Sequence, residues 1–104
     1  MPKREKSKTE YLYSAMLTLK NLDEAKRFFR DLLTEKEIEE MGNRFWAARG
    51  LFEGETYEKI TEETGLSART IARISDWLKN GKGGYGLILK RISNHHRSST
   101  RGKS

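Results

Sequence analysis

Cysteine is absent from this chain, which excludes thiolate metal sites and disulfides and fits a reducing cytoplasm. No apolar run approaches the ~18 residues that a membrane span needs, and the first residues lack the apolar stretch of a signal peptide. A soluble, cytoplasmic protein with no membrane partner is therefore expected. Apolar residues are themselves scarce, at 35% of the chain with a mean hydropathy of −0.85. A chain of 104 residues has room for one small domain, and a lone subunit of this composition would bury a thin core. Burial against a partner, as in a dimer, is the expected remedy. Sustained two-residue alternation and internal repeats are missing too, so no strand is expected.

Acidic residues are missing from one end. Residues 79–104 hold seven Lys/Arg and no Asp/Glu, and residues 1–9 hold four Lys/Arg against one Glu. Residues 10–78 hold ten Lys/Arg and fourteen Asp/Glu, so a mildly acidic body sits between basic ends in a chain of net charge +6. Such ends are either solvated tails or segments that track phosphates and raise non-specific affinity and on-rate.

Catalytic and metal-binding patterns are also lacking. His95-His96 is the only histidine pair, and with no acidic or cysteine neighbour it cannot complete a coordination shell. The GKGGYG segment has neither the strand nor the Lys-Ser/Thr of a phosphate loop. The acidic run EKEIEE reads as a solvated helix start favoured by the macrodipole rather than a carboxylate pair in a cleft. An enzyme, a metal site and a cofactor are not expected.

What is present is helical periodicity. Tyr11, Leu12, Ala15, Met16 and Leu19 make a stripe from Thr9 to about Lys20. Asn21 followed by Glu24 marks a second helix start, and Leu22, Ala25, Phe28, Phe29, Leu32 and Leu33 lie on one side of it. Thr34 and Glu37 form a fuller capping box ahead of a long third helix over about Glu35–Phe52. There Ile38, Met41, Phe45, Ala48 and Phe52 step as a heptad-like seam, extended by Trp46 and Leu51 and flanked by Arg44 and Arg49. Gly42, inside that helix at a cost of up to about 1 kcal/mol, is expected to permit a close helix crossing. Gly50 and Gly54 loosen the exit. Beyond NGKGGYG a short last helix is expected, from Leu87 to Ile92.

The segment YEKITEETGLSARTIARISDWL, Tyr57–Leu78, has the residue order of a helix-turn-helix. Ile60 and Thr64 face inward on a first short helix, and Gly65 gives the sharp turn its backbone freedom. Leu66 plugs the corner, and Ser67 caps the next helix by accepting the Thr70 N–H. Ile71, Ile74 and Leu78 recur at inward spacing. Ala68, Arg69, Ala72, Arg73 and Asp76 are left outward, a small and cationic surface suited to a major groove. The expected organisation is a basic tail (1–8), dimerisation helices (9–53), the helix-turn-helix (54–80), a C-terminal helix (81–94) and a basic tail (95–104).

With LLTEKEIEEMGNR (Leu32–Arg44), the Gly54-Glu55 exit, TGLSARTIARI (Thr64–Ile74) and GGYGLILKRI (Gly83–Ile92) in place, the chain resembles the Trp repressor family over about Leu19–Ile92. It is more similar to the YerC/YecD-type branch than to the tryptophan-sensing repressor. The resemblance implies an all-α, intertwined homodimer whose N-terminal helices share one core, bound to paired half-sites of double-stranded DNA. It puts base-facing residues at Ala68, Arg69 and Ala72. Arg69 stands where the repressor has a small residue, and an arginine there can take guanine O6 and N7 bidentately. Lys59 is a backbone-positioning cation. The candidate DNA-contacting set is Lys59, Ser67, Ala68, Arg69, Thr70, Ala72 and Arg73.

The resemblance also implies a ligand pocket. Arg44 and Arg73 match the two arginines that sandwich the indole of bound tryptophan, and Leu33 and Thr34 match residues near its polar end. Ile74 and Trp77, however, replace a glycine and a serine. The pocket is expected to be filled from within, so that tryptophan is not a corepressor. The competing interpretation is a helix-turn-helix interaction module that docks protein or structured RNA.

Overall fold

The computed structural model describes residues 7–103, with side chains described for residues 7–94. Its helices are α1 (Lys8–Met16), α2 (Leu22–Leu32), α3 (Glu35–Phe52), α4 (Tyr57–Thr64), α5 (Ala68–Asn80) and α6 (Gly84–Lys103). There is no strand among the described residues, so the fold is all-α as expected. No described helix is long and apolar enough to cross a membrane. The chain divides into two compact units, Met1–Ile38 and Glu39–Ser104. Residues 1–6 of the basic N-terminal tail and the side chains of His95, His96 and the rest of the C-terminal tail lie outside the described residues.

The first unit is organised by its caps. Ser7 opens α1 by accepting the Glu10 amide at 3.1 Å. The helix stops at Met16 rather than near Lys20, although its apolar stripe runs on to Leu19. The cause lies in the next helix start, because Asn21 is fully extended (φ −157°, ψ 176°) while its side chain accepts the Glu24 amide at 2.9 Å. Glu24 reaches back to the Lys20 amide at 3.0 Å, which pulls residues 19–20 out of helical geometry. Thr34 and Glu37 exchange both capping bonds, at 3.1 and 3.0 Å. Neither α1 nor α2 contains a buried residue, and Tyr11 and Leu17 are 71% and 86% exposed.

The second unit carries the core. Ala47 and Ala48 of α3, Ile60 of α4, Ile71 and Ile74 of α5 and Leu89 of α6 form one buried cluster, with Phe45, Leu51, Leu66, Leu78 and Tyr85 packed against it. α5 packs against both α4 and α6. The close approach within this unit occurs at Gly50, not at Gly42. A Cβ on Gly50 would stand 2.9 Å from Glu55 Oε1 and 3.0 Å from Ile60 Cγ1, whereas one on Gly42 would meet nothing within 4 Å. Of the α3 seam, Ala48 is buried while Met41 and Phe52 remain exposed.

α6 is longer than its apolar stretch, beginning at Gly84 and continuing to Lys103. No proline follows Gly84, so nothing in the backbone stops the helix.

Candidate nucleic-acid interface

The turn between α4 and α5 is held by its own hydrogen bonds. Gly65 adopts φ +76°, the left-handed conformation that costs a side chain-bearing residue most, and its N–H donates to the Thr61 carbonyl at 2.8 Å. Thr64 Oγ1 donates to the Ile60 carbonyl at 2.7 Å and accepts the Leu66 amide at 3.1 Å. Ser67 Oγ then accepts the Thr70 amide at 3.1 Å and lies 3.1 Å from Thr70 Oγ1. Thr64 and Ser67 thus take up the Leu66 and Thr70 amides that the turn would otherwise leave free.

With Ile71 and Ile74 fully buried, the opposite face of α5 is fixed in direction. Ala68, Arg69, Ala72, Arg73 and Asp76 are all exposed, as is Ser67, and Thr70 is half-buried. The first turn of α5 carries no acid. Among the described residues neither Arg69 nor Arg73 forms an ion pair. Arg69 therefore stands in the first turn of a helix whose N-terminus is itself partially positive, with Arg73 one turn further on, an arrangement that attracts anions. Lys59, in the first turn of α4, is exposed and lies 3.7 Å from Glu55 Oε2.

The tryptophan-pocket equivalents fall in both units. Leu33, half-buried, closes α2, and exposed Thr34 is engaged in its capping box. Arg44 and Arg73 are exposed. Ile74 is fully buried, but Trp77 is 47% exposed. Trp77 forms one wall of an open groove of about 830 Å³, shared with Phe45, Tyr85 and Ile88 and edged by Asp76 and Lys82.

The polar cluster around Arg49 extends beyond what the sequence pattern implies. Its guanidinium donates to Glu55 at 3.2 and 3.3 Å and to Glu53, faces Glu63 at 3.8 Å, and lies 3.8 Å above the Trp46 ring. The Trp46 indole N–H donates to Glu63 at 2.9 Å. Burial opposes the charge on Arg49, yet bonds and attraction from Glu55 and Glu53 leave its pKa raised. The Arg49 hydrogen bonds hold Glu55 below the ordinary carboxylate value; burial opposes this, and the charges of Arg49 and Lys59 add to it. An i,i+4 pair such as Arg49–Glu53 is readable from sequence, but Arg49–Glu63 is not, because it depends on how α4 folds back.

The family model for the Trp repressor protein matches residues 7–93. The chain belongs to the Trp repressor family. Membership makes it a DNA-binding regulator in class, since this is a regulatory family rather than a catalytic one. It is 43% identical over 83 residues to the uncharacterized protein YerC of Bacillus subtilis (strain 168), covering 80% of each chain. Among solved structures it is similar to a TrpR-like protein from Eubacterium eligens ATCC 27750, with 43% identity, a TM-score of 0.77, and coverage of 81% of this chain and 87% of that one. A candidate Trp repressor from Staphylococcus aureus gives 38% identity and a TM-score of 0.77, over 82% and 85% of the two chains. The Trp repressor family resemblance seen in the sequence motifs and the helix-turn-helix geometry thus agree.

Proposed function

We propose that this chain is a homodimeric, sequence-specific regulator of transcription, a cytoplasmic repressor that binds double-stranded DNA without tryptophan as corepressor. One observation carries the reading: α5 presents Arg69 and Arg73 on its outward face, and neither forms an ion pair among the described residues. Ala68, Arg69 and Ala72 are assigned to base edges, and Lys59, Ser67, Thr70 and Arg73 to the phosphate backbone. Small side chains at 68 and 72 let the helix approach the groove floor while the arginine reaches beyond them.

The homodimer is supported by what one subunit leaves uncovered. α1 and α2 contain no fully buried residue, and Tyr11, Leu17, Leu22, Met41 and Phe52 expose apolar surface that a soluble monomer rarely leaves so free. Residues 9–53 are accordingly assigned to dimerisation and residues 54–80 to DNA reading, followed by α6. Two-fold pairing places the reading helices about one DNA turn apart.

A selection from random duplex pools at fixed, stated salt tests the proposal. Enrichment of a palindromic sequence is expected. Uniform weak binding that disappears at moderate salt would instead favour a module that docks protein or structured RNA.

A further inference from the structure

We infer that Arg49 is a positioning residue for DNA recognition, a latch that fixes α4 against α3 and so sets the angle at which α5 is presented. The inference rests on the DNA-binding reading above. It begins with the attachment of α4. Apolar contact is non-directional, and the core joining these helices is small: Ile60 is the one fully buried side chain that α4 contributes. Ile60 sits where Gly50 lacks a Cβ, which anchors the first half of α4 at a single point.

The second point is polar. Glu63, in the last turn of α4, receives the Trp46 indole N–H at 2.9 Å and faces the Arg49 guanidinium at 3.8 Å, both from α3. Arg49 also grips Glu55 in the α3–α4 connection, and Glu55 Oε1 occupies the space beside Gly50. Two separated attachments fix an axis where one does not. Because the turn at 65–67 is internally hydrogen-bonded and α4 packs on α5, the reading helix follows α4.

Isolated surface ion pairs contribute little, but this one differs in kind. The side chains of Arg49 and Glu55 are only 20% and 17% exposed, several charges share the site, and the guanidinium is stacked on an indole. Without Arg49, Glu53, Glu55 and Glu63 lose the cation they share, and Lys59 remains beside Glu55. Lysine is a poor substitute because a point charge cannot serve Glu55 through two nitrogens.

The test compares wild type, Arg49→Met and Arg49→Lys in full-length protein. Without DNA, amide exchange in Tyr57–Thr64 is expected to accelerate by about tenfold in Arg49→Met and less in Arg49→Lys, with α5 amides near wild type. With DNA, the selected palindrome and versions with half-sites moved by one or two base pairs are titrated. Wild type should discriminate spacing by about tenfold, whereas Arg49→Met should discriminate by about twofold yet bind an isolated half-site nearly normally. Unchanged exchange in α4, or intact spacing discrimination in Arg49→Met, overturns the inference. So does equal acceleration throughout α4, α5 and α6 in both variants, which makes Arg49 a general stability residue. If wild type selects no duplex, the DNA reading has failed, and the exchange measurement alone still decides the latch.

Discussion

The Leu66 amide donates to the Thr64 hydroxyl at 3.1 Å, across a glycine that turns the chain through left-handed geometry. The same hydroxyl donates to the Ile60 carbonyl, so one side chain both ends α4 and sets the start of α5. Thr64→Val keeps the shape but strands the Leu66 donor at a half-buried corner. It is expected to cost about 1–2 kcal/mol in urea unfolding. Gly65→Ala, which forces a Cβ into the left-handed region, should cost a similar ~1–2 kcal/mol.

Arg69 and Lys59 are predicted to fail differently. Arg69→Ala should change which sequence is selected, with a loss of about 1–3 kcal/mol confined to the bases it reads. Lys59→Ala should weaken all duplexes alike and reduce the slope of log affinity against log salt by about 1. Titrations at several salt concentrations, on selected and scrambled duplexes, separate the two. If both variants lose affinity uniformly, the division between base and phosphate contacts is wrong.

Much of this interface was legible because its determinants are local. Asn21, the Thr34/Glu37 box and Ser67 are caps whose partners lie three residues away, and each forms the bond its spacing implies. The inward set Ile60, Ile71 and Ile74 follows from helical period alone. The end of α1 was not legible, because a strong start signal at Asn21 and Glu24 overrides an apolar stripe. Nor was the Arg49–Glu63 pairing, which no periodicity encodes. Nor is the close approach at Gly50 readable: Gly42 and Gly50 look alike in sequence, and within the subunit only the return of Ile60 tells them apart.

Those two glycines yield opposite expectations. Gly50→Ala drives a Cβ to 2.9 Å from Glu55 Oε1 and 3.0 Å from Ile60 Cγ1, so overpacking of about 1–3 kcal/mol outweighs the helix-propensity gain. Gly42→Ala meets nothing in its own chain and would by propensity alone add up to about 1 kcal/mol of stability. Gly42 lies on a helix assigned to dimerisation, where the missing side chain suits a close crossing of subunits. Sedimentation is therefore expected to show a weaker dimer for Gly42→Ala. A tighter dimer would move the crossing elsewhere.

The Arg49–Glu55 pair has a pH signature. Hydrogen bonds from Arg49 hold the Glu55 carboxyl below its ordinary value of 4.5. The stability this confers is complete above that value and is lost as pH falls through the depressed folded-state pKa. Stability curves of wild type and Glu55→Gln should differ by a constant gap at neutral pH that narrows only below about pH 4.5. A gap that closes nearer neutrality would assign the effect to another group.

Tryptophan provides the sharpest test of how this chain departs from the repressor that senses it. In that repressor a glycine leaves room for the indole, whereas here Ile74 is fully buried in the core and leaves no such space on its side of α5. Removing its side chain would open a cavity costing roughly 2–5 kcal/mol, so Ile74 belongs to the fold and not to a vacancy awaiting ligand. Trp77 does not complete the filling within one subunit, since it is half exposed along the groove it shares with Tyr85 and Ile88. The expectation therefore rests on Ile74. Isothermal titration of wild type with tryptophan should give no micromolar binding, and the titrated affinity for the selected palindrome should be the same with and without the amino acid. Micromolar heats, or DNA affinity that rises with added tryptophan, would show that Arg44 and Arg73 still frame a working pocket despite the isoleucine between the turns.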